Sequence, residues 1–232
     1  MQSLPLLIAG LGNTLLLCVL AMAVSAVAGH AVLFLRLSRW AVARGLARAY
    51  VSLMRGTPAL VQLFVLFFAL PLIGAGGHPL LAAVLAIGCN SAAYVGEILR
   101  ANLPVVSQGQ REAAAALGMA PRHTWQRIIG PQVWRASLPA LVNEFTILLK
   151  TTPLASVVGV TELAYAGQMV SARTFRQDEV LVVVAVCYLA ITLPTIALAR
   201  RLERRLHADP TGGDAGRRPV GAIDAAAATG AR

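Results

Sequence analysis

Lysine is almost missing from this chain. Of its 20 basic residues one is a lysine, Lys150, and the others are arginines. A phosphate-binding loop of the Walker A type needs lysine directly after glycine, G-x-x-x-x-G-K-[ST]. Leu149 precedes Lys150, so no such loop exists and the chain does not read as an ATP-hydrolysing enzyme. Charge of either sign is scarce as well, at 13% against about 25% in soluble domains. With 57% hydrophobic residues and a mean hydropathy of +0.70, an ordinary soluble fold is excluded and an integral membrane protein is expected. Cysteine is nearly absent. Cys18, Cys89 and Cys187 each lie inside an apolar run, which excludes a disulfide framework and offers no metal-binding spacing.

What is present is a series of long apolar runs. A membrane-spanning helix needs ~20 mostly apolar residues. Five runs qualify, at about 11–35, 57–75, 79–99, 138–160 and 180–199. The fold class expected is therefore all-α, a membrane helical bundle of about five spans. The first run has no basic residues before it and is too long for a cleaved leader, so it reads as a retained helix. Residues 1–206 form the expected membrane domain. The segment 207–232, rich in Gly, Ala, Asp and Pro, lacks apolar periodicity and reads as a disordered tail.

The net charge of +10 would point to nucleic acid in a soluble protein. Here the arginines alternate with the spans. They crowd the loops after the first and third runs and the segment after the fifth, are absent after the second, and are few after the fourth. Basic residues mark cytoplasmic loops beside anionic membrane lipid. That orientation puts the N-terminus outside and the C-terminus in the cytoplasm, and it leaves no role for nucleic acid.

One cytoplasmic segment, "GQREAAAALGMAPRHTWQRIIGPQ" (109–132), reads as a soluble hairpin. Ser107 and Gln110 have the spacing of a capping box for a helix over 108–117. Gly118 supplies a left-handed C-cap and Pro121 suits the first turn of a second helix. "Gly130-Pro131" is expected to stop that second helix near Ile129.

Polar groups also occur within the runs, where they are expensive and read as functional. Asn90, Tyr94 and Glu97 share one face of the third run; Asn143, Thr146 and Lys150 share one face of the fourth, with Glu144 beside them. Either these groups line a solute path, or they are structural pairs such as Glu97 with Arg100. "Arg55-Gly56-Thr57-Pro58" reads as the start of the second span, with Arg55 reaching to the interface.

The hairpin resembles the EAA motif of bacterial ABC-importer permeases. Glu112, Ala113, Ala114, Gly118, Ile128 and Pro131 fall on that pattern; Gly130 stands where the family usually has Leu. With "RGTPALVQLFVLFFALP", "NSAAYVGEILR", "LLKTTPLAS" and "RLERRL", the resemblance is to permeases for polar amino acids and opines, the His/Glu/Gln/Arg permease family, over about residues 10–206. It implies a type I importer permease of the bacterial inner membrane that does no covalent chemistry. Its hairpin would dock on separate ATP-binding subunits that hold ATP and Mg, the chain itself binding no cofactor or metal. The resemblance further implies a second permease, identical or related, an extracytoplasmic solute-binding protein and an amino-acid substrate. An ion-gradient-driven transporter and a membrane scaffold are the rival readings.

Overall fold

The computed structural model describes residues 3–75 and 77–207; the tail expected after residue 207 lies outside them. Among the described residues nine α-helices follow one another: α1 Ser3–Leu37, α2 Ala41–Gly56, α3 Ala59–Leu72, α4 Pro79–Ala101, α5 Gln108–Ala116, α6 Pro121–Thr124, α7 Gly130–Thr151, α8 Leu163–Thr174 and α9 Gln177–His207. No strand occurs among the described residues. By length and composition α1, α4 and α9 can each cross a membrane alone, and the count reaches five if two bent helix pairs each make one span.

Those bent pairs revise the expected boundaries. The segment expected as a basic loop after the first span is helical, α2. It meets α3 at an angle of 110°. Proline explains the break: Pro58 has no N–H to donate, and it holds Thr57 in an extended conformation (φ −118°, ψ 145°). The fourth run, expected over 138–160, begins earlier and ends earlier. α7 gives way at Pro153 to a tight 3-10 segment, Thr152–Val158, and Gly159 closes it with φ 89°. α8 then starts in what the sequence presented as a loop. Its N-terminus is capped by Glu162, whose carboxylate accepts hydrogen bonds from the backbone N–H groups of Ala164 and Tyr165 (2.8 and 2.7 Å).

The centre of the bundle is the parallel pair α1 and α4. A Cβ at Gly88 would stand 2.9 Å from the carbonyl oxygen of Ala21, and one at Gly96 2.8 Å from Val32. Only missing side chains let the two backbones approach so closely, the small-residue packing typical of helices in lipid. Around this pair, Leu17, Cys18, Ala83, Ile87, Leu148 and Leu149 build one core cluster. The outside is equally apolar: Val27, Phe68, Leu72, Leu181 and Leu193 are all exposed. Water would penalise such a surface; hydrocarbon does not.

Candidate functional site

The hairpin lies at the end of the bundle where α1, α4 and α9 finish. Ser107 caps α5, its hydroxyl accepting from the Gln110 N–H at 3.3 Å. Gly118 adopts φ 69° and turns the chain toward α6. Arg111 donates to the Leu103 carbonyl at 3.0 Å, tying α5 to the turn below α4. Of the six motif positions, Glu112, Ala113, Gly118 and Pro131 face outward, while Ala114 is buried and Ile128 packs partly into the core. The outer face thus combines small alanines with Gln108, Gln110, Arg111 and the Glu112 carboxylate. Leu117 beside it is 80% exposed.

The expected stop at Gly130-Pro131 does not occur. The second helix runs through a π-type turn, Trp125–Ile129, directly into α7. Pro131 sits in the first turn of α7, where a missing N–H costs nothing. In the wide turn a Cβ at Gly130 would lie 2.9 Å from the Trp125 carbonyl oxygen. Glycine at this position therefore has a physical reason. Two aromatic contacts hold the junction to α1: Trp125 meets Phe34 edge-on and Trp134 stacks on His30, each pair 5.2 Å between ring centres.

The polar face of α4 is partly occupied from within the chain. Asn90 donates to the Met54 carbonyl (2.9 Å) and to the Gln62 side chain (3.0 Å), bridging both sides of the α2–α3 break. Tyr94 lies under the Arg55 guanidinium, 5.3 Å from ring centre to charge. The Glu97 carboxylate binds Arg100 at 2.8 Å and also Arg36 of α1.

The polar residues of α7 separate. Glu144 is buried against α4 and accepts from the Ser91 hydroxyl (2.6 Å), which itself accepts from Ser25 (3.1 Å). Thr146 turns to α9, within 3.0 Å of the Thr195 hydroxyl. Asn143 and Lys150, together with Thr146, line an open groove of about 540 Å³ between α7 and α9, with Arg200 and Glu203 farther along it. The sequence reading missed the partners Arg36, Gln62, Ser25 and Ser91. It also missed Glu162, a fully buried acid that accepts from the Tyr188 hydroxyl at 2.7 Å besides capping α8. Gln62 had a visible signal, as the only strongly polar side chain between Ala59 and Leu72.

A multi-pass helical bundle with two bent helix pairs, polar groups buried between its helices and an exposed hairpin at one end defines a membrane transport subunit. The chain belongs to the family described as binding-protein-dependent transport system inner membrane component, which matches residues 21–208. It is 40% identical over 206 residues to the glutamine transport system permease protein GlnP of Escherichia coli (strain K12), covering 88% of this chain and 94% of that one. It is 36% identical over 204 residues to the probable amino-acid ABC transporter permease protein YckA of Bacillus subtilis (strain 168), covering 88% and 90%. Among solved structures, one described as an amino acid ABC transporter with histidines matches with a TM-score of 0.79 at 35% identity, over 88% of this chain and 95% of that one. A chain of a structure described as inward facing conformations of the MetNI methionine ABC transporter shares the fold at 19% identity, with a TM-score of 0.67, over 86% of this chain and 97% of that one.

Proposed function

We propose that this chain is the membrane-spanning permease subunit of an ATP-driven importer for polar amino acids. The observation that carries the reading is the hairpin: a capped, solvent-facing helix with Glu112 exposed on it, followed by a second helix that joins a membrane helix without a break. Such an element can pass a rigid displacement from a docked subunit into the bundle. Glu112, Ala113, Ala114, Gly118, Ile128 and Pro131 form the coupling surface. Asn90, Tyr94, Glu97, Asn143, Glu144, Thr146 and Lys150 surround the solute path, some by facing it and some by fixing the helices that do.

The ATPase site, with its ATP and Mg, belongs to separate subunits, because the single lysine cannot complete a phosphate-binding loop here. A second permease, identical or related, covers the face that carries Lys150, since a charge facing hydrocarbon is costly. An extracytoplasmic binding protein delivers the solute at the opposite end. Residues 1–206 are the membrane domain. The hairpin and the arginine-rich end of α9 face the cytoplasm, and the N-terminus lies outside.

The test is co-purification. The wild-type chain, expressed with an ATP-binding subunit of an amino-acid importer from the same organism, retains that subunit through affinity purification. Glu112→Lys retains at least about 10-fold less, since a reversed charge at a docking surface is a repulsive contact. An intact hairpin that retains no ATPase would overturn the reading.

A further inference from the structure

The sequence placed Arg55 at the membrane interface. The structure places it elsewhere. Arg55 belongs to the last turn of α2, directly before the break, and its neighbour Met54 is held by Asn90. Asn90 is the middle residue of α4 (Pro79–Ala101), about 16 Å of helix from either end. Tyr50, one turn earlier on α2, reaches the same depth, its hydroxyl donating to the Cys89 carbonyl at 2.6 Å. Arg55 is thus an exposed guanidinium near the midplane of the spanning region, not at its edge.

Nothing among the described residues neutralises it. Among the described residues Arg55 makes no hydrogen bond or ion pair, only the contact with the Tyr94 ring. The carboxylates at membrane depth are engaged elsewhere: Glu97 with Arg36 and Arg100, Glu144 with Ser91, Glu162 with the α8 backbone and Tyr188. The position is nevertheless built. Asn90 fixes the carbonyl before Arg55, Gln62 fixes Asn90 and also donates to Met54 and Thr57, and the aromatic face of Tyr94 supports the cation from one side. A preorganised, unneutralised guanidinium at a helix break has the charge and geometry to pair with a carboxylate.

We propose that Arg55, seated on Tyr94, binds the α-carboxylate of the amino acid during its passage. This deepens the function proposed above and rests on it. A carboxylate receptor reads the group that all amino acids share and leaves the side chain to other contacts. The same chemistry could come from a carboxylate of the second permease, which the experiment separates.

The purified permease–ATPase complex in lipid nanodiscs is assayed by equilibrium binding, without the solute-binding protein. The probes are L-glutamine, L-arginine and L-histidine, each compared with its α-carboxamide. We expect the wild type to bind at least one acid about 10- to 100-fold more tightly than its carboxamide, the range lost with one charge-assisted bond. Arg55→Gln abolishes that preference, and Arg55→Lys retains part of it, which also guards against simple misfolding of the Gln variant. Tyr94→Leu weakens the acid more than Tyr94→Phe does. Equal binding of acid and carboxamide by the wild type, no saturable binding at all, or an acid preference that survives in Arg55→Gln overturns the proposal. Loss of the permease dimer in Arg55→Gln with the ligand preference unchanged assigns Arg55 to a subunit contact instead. Uptake by wild-type proteoliposomes supplied with the binding protein tests the underlying function separately; it can succeed while the Arg55 assignment fails.

Discussion

Glu97 illustrates how one carboxylate can organise an end of a bundle. Its side chain, 17% exposed, joins Arg36 at the end of α1 to Arg100 at the end of α4. The Arg36 Nε is buried without a partner, so this guanidinium already depends on a single acid. Removing one member of a shielded ion pair leaves the other uncompensated, which costs more than the pair contributes. Glu97→Gln should therefore lower stability by roughly 1–3 kcal/mol, read as a fall in Tm of the detergent-solubilised protein. Exchanging the charges, Arg36→Glu with Glu97→Arg, should recover part of that loss. If the exchange recovers stability but not transport, Glu97 also serves the solute path. Glu144 differs in kind: its visible partner is a hydroxyl chain from Ser91 and Ser25, which orients a carboxylate without neutralising it.

At the scale of elements, the π-type turn before α7 sets the register between hairpin and span. Each residue of a helix turns about 100°. Replacing Gly130 by alanine brings its Cβ to 2.9 Å from the Trp125 carbonyl, so the turn must tighten or the hairpin must shift. Tightening rotates α6 against α7 and pulls Trp125 from Phe34. We expect Gly130→Ala to lower ATPase retention by several-fold while the membrane helices remain folded, as co-purification and circular dichroism would register. Unchanged retention would mean that the turn has no part in coupling. The sequence allowed only part of this to be seen. The N-cap at Ser107, the turn at Gly118 and the long apolar runs are local signals with local causes, and all three are present in the fold, the cap as the single bond from the Gln110 N–H. The continuation through Gly130-Pro131 was not legible, because proline suits both a helix stop and a first helical turn. The break at Thr57-Pro58 was read as a beginning for the same reason: the preceding arginine-rich stretch looked like a loop, although Ala47, Tyr50, Val51 and Met54 recur at helical spacing on its inner face, Tyr50, Val51 and Met54 packing with Val32 of α1 and Ala93 of α4. Partners such as Ser91 for Glu144 lie 53 residues apart in sequence, and no periodicity within one run can report them.

The whole molecule has two unlike halves. α1 and α4 are locked by glycines at their crossing, whereas α2–α3 and α7–α8 are each interrupted. Motion is least costly at the interruptions, where backbone bonds are already broken. The arrangement also makes the proposed orientation testable. In a variant with Cys18, Cys89 and Cys187 replaced, a cysteine at Leu117 should react with a membrane-impermeant maleimide only after the inner face is opened. A cysteine at Phe175, 93% exposed at the end of α8, should react from outside intact cells. Reaction of both from the same side would refute the topology.

The scarcity of lysine has a practical side. Lys150 lies in the open groove between α7 and α9 and carries the one side-chain amine of the chain. An amine-directed fluorophore or cross-linker would therefore mark a single side chain, and that mark would sit in the groove whose width any rearrangement of α7 against α9 must change. The sequence has in effect left one chemical handle in that groove.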